Sequence, residues 1–182
     1  MKKALEVLLI GGMMLFLGAC ARLGVKVDFE SVNLQNRADS VCKMIVESLE
    51  IGDSKAIGDL FSKEAIKEAS DLNDGISENL ELYKDKSFTY ECLGNSIKEH
   101  YNDSDKECKI TGKYLLSDQE GNQYLLWFVD WYMYDKNPDG VGISLIIITD
   151  YTAHERDLKL EEILGYDKLG IYWSDWDEAC GS

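Results

Sequence analysis

The stretch GNQYLLWFVDWYMYDKNPDGVGISLIIITD, residues 121–150, sets the architecture of the chain. Two aromatic and β-branched runs, 123–135 and 141–151, flank Asn137-Pro138-Asp139-Gly140, and that order reads as two antiparallel strands joined by a hairpin. Side chains alternate across a strand. One face of the first run presents Trp127, Val129, Trp131 and Met133, and the other presents Leu126 or Phe128, Asp130, Tyr132 and Tyr134. With the turn near Pro138, the first set pairs with Leu145 and Ile147 and makes an apolar face suited to helices, while the second lies beside Ser144, Ile146 and Ile148.

Two more strand-like runs precede this one, at 87–99 and 107–117, and Glu120-Gly121-Asn122 supplies a second hairpin connection. Upstream the period changes. Leu34, Ala38, Val41, Ile45 and Leu49 recur at helical steps between Asn33, a possible cap, and Gly52, a stop signal. Asp53 or Ser54 can begin a second helix carrying Ile57, Leu60 and Phe61. Ser62 can begin a third with Ala65, Ile66 and Ala69, and Leu72, Ile76, Leu80 and Tyr83 keep helical spacing to about Asp85. Downstream, 152–165 reads as a short helix, Ile171-Tyr172-Trp173 as an edge strand and 174–182 as an acidic tail. Helices first and antiparallel strands after them predict an α+β domain over 33–173, with the helices packed on one face of a curved sheet.

The succession ADSVCKMIVESLEIGDSKAIGDLFS (38–62), SFTYECLGNS (87–96) and the decisive stretch through Ile148 resembles the domain-of-unknown-function family numbered 5104, found on bacterial lipoproteins, over roughly residues 34–151. That family looks like the nuclear-transport-factor-2-like superfamily. The resemblance implies a cone-like sheet wrapped around N-terminal helices, used by some members as a ligand pocket or active site and by many to bind partners. It brings no catalytic motif, so no functional residue is carried over from it.

Asp130 is the residue whose facing matters most. On an outer, partly solvated face it is an ordinary surface carboxylate, which is the preferred reading. In a pocket among aromatic rings, burial would raise its pKa and make it a candidate general base, with Tyr132 and Ser144 as hydrogen-bonding neighbours. Asp135, Asn137, Asp139 and Gly140 imitate the first half of a calcium loop, but its twelfth position falls on Ile146 where a glutamate is needed, so a hairpin turn is the better reading. Gly142-Ile143-Ser144 begins like a nucleophile elbow and lacks the second glycine. His100 and His154 read as surface residues, and neither a metal nor another cofactor is expected. Trp173, Asp175, Trp176 and Asp177 form an aromatic-acidic end whose commoner explanation is terminal ordering.

At the N-terminus, Lys2 and Lys3 precede an apolar run from Ala4 to Leu17, broken only by Glu6, and Leu17-Gly18-Ala19-Cys20 follows. A 14-residue helical run spans about 21 Å, short of a roughly 30 Å hydrocarbon core, so an export signal fits better than a spanning helix. The last four residues resemble the lipobox of bacterial lipoproteins. That implies cleavage after residue 19, lipid on Cys20, and retention at the extracytoplasmic face of the cell membrane. Residues 20–32 then serve as lipidated cysteine and tether, reaching about 40 Å if extended.

The mature chain of 163 residues would carry 17 basic and 33 acidic side chains, a net charge of −16 that opposes binding to nucleic acid. Cys42, Cys92, Cys108 and Cys180 allow two disulfides in three connectivities, although a chain this long does not require them. The sequence therefore points to a membrane-anchored, non-enzymatic module binding a small ligand or a protein partner. The competing class is an enzyme with Asp130 and Tyr132 as its acid-base residues.

Overall fold

The first helix, α1 (Phe29–Ile51), carries its expected stripe inward, with Leu34, Ala38, Val41, Ile45 and Leu49 all buried. It starts one turn before Asn33 and ends just before Gly52. The computed structural model describes residues 29–101, 105–151 and 169–174 of the chain. The stretch read as an export signal, Cys20, the 152–165 segment and most of the acidic tail lie outside the described residues. Of the two compact units, Met1–Glu30 falls almost wholly outside them and Ser31–Ser182 carries the features below.

Two short helices follow, α2 (Ser54–Gly58) and α3 (Lys63–Glu68). Each is too short to persist alone, and each has a side-chain cap. The Asp53 carboxylate accepts from the Ala56 amide at 2.9 Å, and the Ser62 hydroxyl accepts from the Ala65 amide at 3.1 Å. Helix α4 (Leu72–Tyr83) buries Leu72, Ile76, Leu80 and Tyr83, the spacing read from the sequence.

Strands β1 (Phe88–Tyr101), β2 (Lys106–Asp118), β3 (Gln123–Tyr134), β4 (Gly142–Asp150) and β5 (Gly170–Ser174) form one open, curved sheet in the order β1-β2-β3-β4-β5. The first four are antiparallel, and β5 is an edge strand parallel to β4. A short 3-10 turn (Pro138–Gly140) carries the hairpin between β3 and β4. The link between α2 and α3 is stitched to the start of β4, where Ser62 N donates to Ile143 O and Ile143 N donates to Leu60 O, at 2.9 and 3.0 Å. Gly142 permits this approach, since a Cβ there would lie 3.0 Å from Ser62 N and its φ is +124°. The architecture is α+β. Among the described residues, no helix is long and apolar enough to cross a membrane.

The facing of β3 is opposite to the expected one. Leu126, Phe128, Ile146 and Ile148 belong to the main core with the helices, whereas Trp127, Val129, Leu145 and Ile147 form a separate cluster on the other face, with Trp131 against it. Both sets are apolar, so hydrophobicity could not choose between them. The choice follows from fit and charge: Phe128 needs the room that Gly112 opposite it provides, and Asp130 needs a cation from the helices. Two bulges also break the alternation. Tyr132 has no partner on β2, which returns Met133 to the helix side and places Tyr134 on the other, stacked on Trp131 at 4.5 Å. Ser144 is the extra residue on β4.

Candidate functional site

Asp130 is not a surface carboxylate. It is 1% exposed and faces α1, where Arg37 grips it with both arms of a guanidinium, Nε to Oδ2 at 2.6 Å and Nη2 to Oδ1 at 3.0 Å. The same guanidinium lies 4.9 Å from the centre of the Tyr132 ring. Burial works against the charge of Arg37, but the hydrogen bond and charge of Asp130 outweigh it, so its pKa is raised. The structure thus brings together the two sequence candidates, Asp130 and Tyr132, around a residue the sequence reading did not name. With both carboxylate oxygens accepting from Arg37, Asp130 serves as a counter-ion that clamps α1 to the sheet.

Tyr132 is 41% exposed at its bulge. Ser144, the other expected neighbour of Asp130, is buried and donates instead to the Val129 carbonyl at 3.5 Å. The 135–140 turn engages its carboxylates with β2 and with α3: Asp135 Oδ2 accepts from Lys106 N at 3.0 Å, and Asp139 meets Lys63 Nζ at 3.4 Å. His100 is exposed at the end of β1, and His154 lies outside the described residues. Cys42 is buried and Cys92 exposed, both as free thiols.

Among the described residues, the space between helices and sheet is closely packed around Phe128. Phe128 and Tyr114 stack with centroids 5.9 Å apart, and the edge of the Phe128 ring would lie 2.4 Å from a Cβ at position 112. Such a fit leaves no room there for a ligand. Space is found elsewhere, in a cleft of about 340 Å³ between α2, α3 and α4. Ile66, Leu72 and Ile76 supply apolar walls, and Lys55, Asp59 and Asn73 supply polar ones. Ile66 is 54% exposed, a large apolar side chain left facing solvent. The volume is at the lower end of the range for small-molecule sites, which pair apolar walls with a few polar groups.

The sequence reading missed both Arg37 and this cleft. Arg37 had a signal, because it falls three residues after Leu34 and four before Val41 and so lies on the buried stripe of its helix. A cation there requires an anion across the core. The cleft had none, since it arises from the angles among three helices.

The family model described as Domain of unknown function (DUF5104) matches residues 44–153, from the middle of α1 to just past β4. No curated protein matches the chain.

Proposed function

Since the chain belongs to this family of domains of unknown function, we propose that it is a non-enzymatic binding module, held at the extracytoplasmic face of the cell membrane by lipid on Cys20. It takes a small ligand or protein partner in the cleft between α2, α3 and α4. The observation that carries this reading is the contrast between the close packing around Phe128 and an open, mixed-polarity cleft at the helices. The placement rests on the order of charge, apolar run and Leu17-Gly18-Ala19-Cys20. A likeness to the nuclear-transport-factor-2-like superfamily belongs to the same proposal, with the site moved from the inside of the cone to its helical flank.

The test is rescue of a deletion strain by variants that leave the core alone. Ile66→Glu and Ser77→Trp alter the cleft at exposed positions and should fold with unchanged circular dichroism while losing rescue. Full rescue by both would remove the cleft from consideration. Tyr132→Phe deletes only a hydroxyl beside the intact Arg37–Asp130 pair and should rescue fully. Failure of that variant, with its fold preserved, would transfer the function to an acid-base site at Asp130 and Tyr132.

A further inference from the structure

Three observations place two thiols at one junction. Cys92 on β1 is the cross-strand partner of Tyr114 on β2. The Tyr114 hydroxyl crosses to α1 and donates to Asp39 Oδ1 at 2.7 Å. Cys42 follows Asp39 by three residues on α1, which puts the two side chains on adjoining positions of one helix face. Cys42 is fully buried beneath this junction and Cys92 is exposed at its mouth. Burial, then the nearby Asp39 and Cys92, push the Cys42 thiol well above its usual range. Beside Cys92 the ladder is broken, because Leu93 is a bulge residue on an edge strand.

We infer that Cys42 and Cys92 are a redox pair that closes into a disulfide joining α1 to the sheet edge. The register excludes Cys108 as the partner of Cys92. It lies six residues along β2 from Tyr114, or about 20 Å, against a Cα separation of at most about 7 Å in a disulfide.

The oxidant is a low-molecular-weight disulfide. Cys92, the accessible thiol, loses its proton and attacks one sulfur of the oxidant, breaking that S–S bond and releasing one thiolate. Cys42 then loses its proton and attacks the Cys92 sulfur, forming the protein disulfide and releasing the second thiolate. The two protons end on the two released thiols, and the oxidant gains the two electrons the protein loses. Because Cys42 is buried and its thiolate disfavoured, the second step is the slower one and accelerates as pH rises.

In the cell the supply of oxidant rests on the export reading above, but the pairing is tested without it. The full chain, purified reduced, is incubated with oxidised glutathione, alkylated and digested with trypsin. Cleavage after Arg37, Lys43, Lys86 and Lys98 gives peptides 38–43 and 87–98, each with one cysteine. The pairing requires these two peptides to be joined in the non-reduced digest, with a transient glutathione adduct on Cys92. In Cys42→Ser that adduct should persist. The oxidised chain should melt about 5–10 °C above the reduced one, as expected for a loop of this size, and Cys92→Ser should show no such shift. Recovery of both peptides alkylated, of a permanent adduct on Cys92 in the unmutated chain, or of Cys92 joined to another cysteine would overturn the pairing.

Discussion

The Arg37–Asp130 clamp and the cleft among the short helices differ in a way that decides where function can reside. The clamp has the residues a reader of active sites looks for, a buried carboxylate, a guanidinium and a phenol, yet its charges satisfy one another. The cleft has modest residues and open space, with an exposed isoleucine in its wall. Chemistry-bearing groups that are fully paired stabilise a fold, whereas groups that face a volume can recognise something.

Arg37 is where substitution should cost most. Replacing it with Met strands a carboxylate that is 1% exposed, and removing one partner of a buried pair costs about 3–5 kcal/mol. Asp130→Asn should cost clearly less, because Arg37 is 36% exposed and can turn its charge to water. The double variant should recover part of the loss. Urea denaturation of the four chains measures this, and equal costs for the two single variants would mean that Asp130 is not clamped as described.

A smaller effect tests whether the interior is as full as the clamp requires. Gly112→Ala would set a methyl 2.4 Å from the Phe128 ring, and overpacking of this kind costs roughly 1–3 kcal/mol. Phe128→Leu in the same chain should relieve part of it. Should Gly112→Ala prove neutral in the same assay, the sheet has slack, and an internal pocket returns as a rival to the cleft.

Element type and order were legible because each element had a strong period or a strong turn. The stripe on α1, the Asp53 and Ser62 caps and the two hairpins needed only local residues. Facing was not legible, because Trp127 and Phe128 are equally apolar neighbours and the bulges at Tyr132 and Ser144 invert alternation midway. The sequence marks Asp130 as the residue whose facing matters most but favours a surface position, and the structure buries it. Its partner sits 93 residues away, and no local pattern could join the two. The cleft depends on tertiary angles, which leave no trace in residue spacing.

Asp118, at the far end of β2, is a second engaged carboxylate, fixed by a turn, and its contribution varies with pH. It accepts from the Glu120 and Asn122 amides at 3.0 and 2.9 Å, from the Asn122 side chain and Lys86 Nζ at 2.9 Å each, and from the Tyr124 hydroxyl at 3.2 Å. The Asn122 side chain first, with Lys86, the Asn122 amide and Tyr124, holds its pKa far below the usual carboxylate range against the opposing effect of desolvation. A depressed folded pKa contributes stability above the unfolded value of about 4, and that contribution fades as pH falls below it. Lys86 runs the other way. Its pKa is raised, chiefly by the hydrogen bond to Asp118, so its share is present below the unfolded value of about 10.4 and fades as pH climbs through the folded one. The melting temperature of the native chain should exceed that of Asp118→Asn across the plateau from about pH 5 to pH 10, and the gap should narrow at both ends. A gap independent of pH would show that the hairpin is held by its backbone geometry, with the charges of Asp118 and Lys86 contributing nothing.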